Sequence, residues 1–227
     1  MVYLGRGIWL FSTEEGRFGK FYSVEGRSSA SRERKAVYHP GERRVAIEPL
    51  DKSQIDPLRH YNATRFGDGL LVVSNGLHTE DIYNSQDKRP VGLRRRLNTW
   101  GVEPDSLHTP RIAGMLNIHG IVNNPLLYLG MVSDNGVRSI RVKPNPGYAY
   151  GISTYNGDEN NPKPFDINLL SKQSRLPKVR VEGETPEEIA EFFATEVIDP
   201  KFFVSGVSAV WYEEDRDWRI AVRNLHS

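Results

Sequence analysis

Short runs of β-branched, aliphatic and aromatic residues, closed mostly by glycine, proline, asparagine or aspartate, recur along this chain and set what it can fold into. They are Tyr3 to Phe11, Gly19 to Val24, Val45 to Pro49, Gly69 to Ser74, Leu126 to Val132, Val137 to Val142, Tyr148 to Thr154, Val204 to Tyr212 and Trp218 to Val222. Glu14-Glu15-Gly16 and Asp134-Asn135-Gly136 read as hairpin turns, and the charged stretch from Glu213 to Asp217 as a polar loop between two antiparallel strands. Two segments look helical. In Pro186 to Val197, Thr185 and Glu188 have capping-box spacing, Pro186 takes the first helical position, and Ile189, Phe192, Phe193 and Val197 form one apolar stripe. The region from about Thr79 to Leu97 is interrupted by Pro90 and Gly92 and reads as two short helices. Asn156 to Pro177 gathers Asn, Pro, Asp, Ser and Lys and reads as a loop excursion. Many hairpins and few helices predict an α+β fold, with helices layered on largely antiparallel sheets. A chain of 227 residues is long enough to bury its core as one domain, 1–227.

Composition excludes more than it proposes. Thirty Lys and Arg against 29 Asp and Glu leave a formal charge of +1, which is not the footprint of a nucleic-acid or anionic-membrane binder. With no cysteine there is no disulfide, thiol nucleophile or Cys-ligated metal. No apolar run approaches the roughly 18 residues of a membrane span, and the N-terminus lacks the pattern of a secretory signal, so cytoplasmic residence is expected. The chain has no His-Glu-x-x-His, no phosphate loop ending in Gly-Lys-Ser/Thr and no Gly-x-Ser-x-Gly elbow. Its histidines, at 39, 60, 78, 108, 119 and 226, lack metal-ligand spacing, so neither a metal nor another cofactor is expected. Arg94-Arg95-Arg96 would point in three directions on a helix and reads as a solvated face.

The stretch from Glu25 to Arg34 carries more chemistry: Arg27, Arg32 and Arg34 crowd a loop of small hydroxyl residues directly after a strand. Arginine offers a planar fork of donors, and serine hydroxyls with loop N–H groups fill remaining phosphate lone pairs, although a plain surface loop has the same composition. Three further pieces place polar residues at or just beyond a strand end: His60-Tyr61-Asn62, Val73-Ser74-Asn75-Gly76 and His108-Thr109-Pro110-Arg111-Ile112. Each has an ordinary reading as a strand terminus, a turn or the start of a short helix. Together with the arginine loop they furnish guanidinium groups, amides and a phenol, a set suited to a phosphorylated, amide-bearing ligand.

In order along the chain, Tyr3-Leu4-Gly5-Arg6, the Arg27-Ser28 to Arg32 loop, Tyr61-Asn62, Val72-Val73-Ser74-Asn75-Gly76-Leu77-His78-Thr79 and Thr109-Pro110-Arg111-Ile112-Ala113 resemble the archaeal-type IMP cyclohydrolase family. The resemblance is dense from Tyr3 to Met115 and sparser beyond. It implies a four-layer αββα sandwich like that of N-terminal-nucleophile hydrolases, with no nucleophile at Met1 or Val2. It also implies a cofactor-free enzyme, homo-oligomeric, that closes the purine ring of 5-formamidoimidazole-4-carboxamide ribonucleotide to IMP with loss of water. Carried onto this chain, it implies Arg32, Tyr61 and Asn62 as donors to the reacting groups, with Glu103 and Asp105 as nearby carboxylates. Arg27 and Ser28 would hold the 5′-phosphate, and Asn75, Gly76, Thr109 and Arg111 the rest of the nucleotide. The arginine loop departs from the family pattern, which has an aromatic, a proline and an asparagine before the second arginine, so a purine-nucleotide-binding homologue without turnover is the alternative.

Overall fold

The computed structural model describes residues 3–119 and 125–226, and all statements below concern these; Met1 and Val2 lie outside them. Two mainly antiparallel sheets dominate. Strands β1 (Arg6–Ser12), β2 (Phe18–Glu25), β10 (Tyr148–Ser153), β13 (Lys178–Arg180), β14 (Phe203–Tyr212) and β15 (Asp217–Asn224) form a six-stranded sheet in the order β13-β10-β1-β2-β14-β15. Strands β3 (Arg34–His39), β4 (Arg44–Pro49), β5 (Tyr61–Gly67), β6 (Leu70–Ser74), β7 (Arg111–Asn117), β8 (Leu126–Ser133) and β9 (Gly136–Val142) form a seven-stranded meander in chain order. A two-residue ladder joins β11 (Tyr155–Asn156) to β12 (Lys163–Pro164).

The main apolar core draws on both sheets, with Ile8, Leu10, Tyr22 and Val207 from the first and Val45, Leu71, Ile112 and Leu129 from the second. A second cluster packs α4 (Pro186–Phe192) on the six-stranded sheet through Ile189, Phe193, Phe21 and Trp9. A third packs α2 (His78–Asn84) and α3 (Pro90–Trp100) on the seven-stranded sheet through Ile82, Leu93, Leu97 and Met115. The capping box predicted for α4 forms: Glu188 N–H donates to Thr185 Oγ1 and Thr185 N–H to Glu188 Oε2. The helix then loosens into a single π-turn at Phe193–Val197.

Three strands of the seven-stranded sheet are not among the predicted runs, each for a physical reason. β3 is an edge strand carrying Arg34, Lys35 and His39, charges that blunt an edge and mask its periodicity. β7 is buried along almost all of its length, so it lacks alternation, and Arg111 opens this strand rather than a helix. In β5 the register slips, because Val45 faces Thr64 while Ala46 faces Asn62, leaving Ala63 as the extra residue of a bulge. The Asn156 to Pro177 excursion also needs correcting, since it sends Phe165, Ile167, Leu170 and Leu176 into the main core.

One buried cation stands among the apolar residues between the sheets. Lys20 is fully buried, and its Nζ donates to Thr64 Oγ1 and to the Val207 carbonyl, both at 3.1 Å. Burial pushes its pKa well below the usual lysine value.

Candidate active site

In an antiparallel sheet the beginning of one strand meets the end of the next. The starts of β1, β5 and β7 and the end of β2 carry the motif residues Arg6, Tyr61, Arg111 and Glu25, and Asn75 directly follows the end of β6. Near these ends opens a cleft of about 300 Å3, lined among others by Tyr3, Arg6, Arg27, Ser28, Arg34 and Arg59 together with Glu103, Asp105, Thr109 and Tyr155. Broader depressions, of about 660 Å3 beside Asp87 and about 670 Å3 over α4, have no buried charged side chain in their walls.

The cleft's charge chemistry is built on a buried ion pair. Arg6 Nη2 donates to both oxygens of Glu103, at 2.7 and 2.8 Å, and Glu103 is only 2 % exposed. Asn75, fully buried, holds the same carboxylate from behind: its Nδ2 donates to Glu103 Oε1 at 2.8 Å and to the Pro110 carbonyl at 3.0 Å, while its Oδ1 accepts from Ile112 N–H at 2.7 Å. Burial pushes the Glu103 pKa up, Arg6 opposes that rise, and Asp105 adds to it. A carboxyl poised this way is suited to proton transfer. Asp105 accepts from the Thr109 backbone N–H at 2.8 Å and from its hydroxyl, and that hydroxyl also meets Tyr155 Oη.

Behind the guanidinium groups, Tyr61 and Tyr22 share a buried hydrogen bond of 2.7 Å between their hydroxyls. Arg34, also buried, comes into the cleft from the start of β3. At the mouth, Arg27 lies over the Tyr3 ring and donates to the Glu159 carbonyl, so the 156–177 excursion reaches the site. Ser28 caps a single helical turn, α1 (Ser29–Arg32): its hydroxyl accepts from Ser31 N–H, and the Ser31 hydroxyl accepts from Ser28 N–H.

Of the residues singled out in the sequence, Arg27, Ser28, Glu103, Asp105 and Thr109 line the cleft. Asn75 stands behind Glu103. Gly76 is a backbone position beside Arg111, where an added Cβ would lie 2.8 Å from the guanidinium. Arg111 itself is buried over the Trp100 ring and does not reach the cleft wall. Two expectations are corrected. Arg32 turns away to donate to the Lys201 carbonyl, and Asn62 faces the opposite side of β5 from Tyr61, where it accepts from Arg44 and donates to Glu80. Tyr3, Arg6, Asp56, Arg59 and Tyr155 line the cleft without having been assigned roles. Arg6 had a signal, as the last residue of Tyr-Leu-Gly-Arg; Arg59 and Tyr155 had none.

A family model described as IMP cyclohydrolase-like protein matches residues 3–215, well beyond the dense motifs that end at Met115. The chain is 33 % identical over 231 residues to the IMP cyclohydrolase of Methanosphaera stadtmanae, with 98 % of this chain and 100 % of that protein covered. It is 31 % identical over 216 residues to that of Methanococcus maripaludis, covering 92 % and 93 %, and 31 % identical over 197 residues to that of Methanococcus aeolicus, covering 84 % and 87 %.

Proposed function

Because this chain belongs to the IMP cyclohydrolase-like protein family, we propose that its cleft closes the purine ring of 5-formamidoimidazole-4-carboxamide ribonucleotide to give IMP and water. The observation that carries this reading is the Arg6–Glu103–Asn75 array beside Asp105, Arg27 and Ser28 in one cleft. The reaction joins two groups of one molecule: the carboxamide nitrogen attacks the formyl carbon, so holding them in contact supplies much of the rate. As the C–N bond forms, the formyl oxygen gains charge and the nitrogen must lose a proton. The formamido nitrogen then gives up its own proton as the C–O bond breaks, and the oxygen leaves as water carrying both protons. Glu103 and Asp105 are the groups that take and return those protons, and Tyr61 orients the neighbouring guanidinium groups. Arg27 and Ser28, with Arg59, hold the 5′-phosphate at the mouth, and Thr109 fixes Asp105.

The same reading carries a four-layer αββα arrangement of the N-terminal-nucleophile type within one domain, supported by a core shared between two sheets and by helices packed on each. It also carries a cytoplasmic, homo-oligomeric enzyme; no described helix is long and apolar enough to cross a membrane. The test is IMP formation, followed by chromatography, from the formamido-ribonucleotide and purified protein. Arg27→Ala is expected chiefly to raise KM and Tyr61→Phe chiefly to lower kcat. Tight nucleotide binding with no IMP would instead identify a non-catalytic binder.

A further inference from the structure

Arg27 is exposed, and an arginine side chain free on a surface samples many rotamers. Here it is held from two directions. Its guanidinium lies 5.1 Å from the centre of the Tyr3 ring, and its Nη1 donates to the Glu159 carbonyl at 2.5 Å. Both partners lead to Lys201, in the turn before β14. The Tyr3 ring meets Phe202 edge-on at 5.3 Å, and the Lys201 ammonium lies 5.1 Å from the centre of the Phe202 ring. On the other side, Lys201 Nζ donates to both carboxylate oxygens of Glu159 at 2.7 Å. Arg27, Tyr3, Phe202, Lys201 and Glu159 therefore close a ring of contacts between segments far apart in the sequence. The ring is anchored from outside as well. Tyr3 N–H donates to the Gly157 carbonyl at 2.9 Å, Lys201 N–H donates to Asp199 Oδ1 at 2.9 Å, and Arg32 donates to the Lys201 carbonyl. Glu159 offers Arg27 its carbonyl and keeps its carboxylate on Lys201, so the guanidinium retains donors for an anion.

Resting on the assignment of the 5′-phosphate to Arg27, we propose that Lys201 and Glu159 are positioning residues for the nucleotide: their ion pair holds the Glu159 carbonyl against Arg27 and presets its guanidinium for the phosphate. The pair is solvent-exposed, so its Coulomb attraction adds little to stability. Its effect is on Arg27, whose rotamer is fixed before the ligand arrives, which strengthens binding without any new contact to the ligand. The phosphate is the same in substrate, transition state and product, so the effect falls on affinity and KM and leaves kcat alone.

The experiment measures IMP affinity by calorimetry, KM, kcat and the unliganded thermal midpoint for wild type, Lys201→Met, Glu159→Gln, Arg27→Ala and the Arg27→Ala/Lys201→Met double variant. Lys201→Met is expected to weaken IMP affinity and raise KM by about three- to tenfold, with kcat within about twofold and the midpoint unchanged. Glu159→Gln should weaken affinity about threefold. Its sign is diagnostic, because removing a negative charge beside an anion site would by electrostatics alone tighten binding. Arg27→Ala should weaken binding more than either, and adding Lys201→Met to it should then change affinity by less than about twofold. Unchanged affinity in Lys201→Met, or tighter binding by Glu159→Gln, would overturn the proposal. Equal losses from Lys201→Met with and without Arg27 would overturn it too, since they mark direct attraction of the anion by Lys201. A fall in midpoint together with kcat in both single variants would do the same, by showing that the ring of contacts holds the fold. Arg27→Ala that binds IMP like wild type would remove the phosphate assignment and this proposal together. Wild-type protein that binds IMP without forming it would overturn the ring-closing reading alone, because IMP affinity still reads the effect of Lys201 and Glu159.

Discussion

Asn75 and Glu103 are 28 residues apart in sequence and 2.8 Å apart in space, and the amide of one sets the orientation of the other's carboxylate. Asn75 simultaneously satisfies the Ile112 N–H and the Pro110 carbonyl, so it fastens the end of β6 to the start of β7. It acts through Glu103, as a positioning residue. Asn75→Ala should destabilise the fold by about 2–4 kcal/mol, since three buried hydrogen bonds are lost at once. Asn75→Asp, which sets a second carboxylate against Glu103, should instead displace the acidic limb of the kcat–pH profile. Denaturant titration checks the first outcome and the pH–rate profile the second.

Glu25 makes a prediction about pH. Burial raises its pKa from 4.5 to about 8, against the opposing backbone hydrogen bond from Leu4. A carboxyl that prefers its proton in the folded state takes one up on folding, so its contribution to stability is lost as pH rises from about 4.5 to about 8. Glu25→Gln should match wild type near pH 4 and become the more stable protein by pH 8. Urea midpoints measured across that range decide it; parallel curves would refute it.

Lys20 has the opposite sign. Its folded pKa lies well below the unfolded value, so folding releases a proton, and stability should climb as pH rises toward about 10. Lys20→Met should raise the thermal midpoint at pH 7 and flatten that climb, as measured by calorimetry at pH 7 and 9.5.

Tyr61 and Asn62 are neighbours with separate fates. Tyr61→Phe removes a buried hydroxyl pair with Tyr22 and should cost about 1 kcal/mol of stability while lowering kcat at least tenfold. Asn62→Ala breaks contacts to Arg44 and Glu80 and should cost similar stability with a much smaller change in kcat. Equal kinetic losses in the two variants would place Asn62 in the cleft after all.

That pair also marks what the sequence makes legible. Hairpins, the capped α4 and the paired short helices follow from turn chemistry and periodicity, which are local. The ordered motifs likewise point to the strand ends where the cleft lies. The side of a strand that a residue faces depends on register, and the bulge at Ala63 belongs to the pairing of two strands rather than to either one. The same limit applies to the arginine loop. A helical turn at Ser29–Arg32 turns Arg32 outward, and the strand that starts at Arg34 brings that residue in. Arg59 and Tyr155 reach the cleft from segments with no distinctive local pattern, placed there by tertiary packing alone.

The strand order of the six-stranded sheet bears on how the chain is made. The β1–β2 hairpin ends at Glu25, yet the strands on its two sides, β10 and β14, start at Tyr148 and Phe203. On a ribosome adding about 5–20 residues per second, the hairpin waits several seconds with both flanks open. Its apolar Ile8, Trp9, Leu10, Phe21 and Tyr22 then offer a template to any nascent neighbour. The meander next to it closes strand by strand in order of synthesis. Crowding on polysomes, rather than instability of the finished enzyme, is therefore where this architecture is most exposed to aggregation.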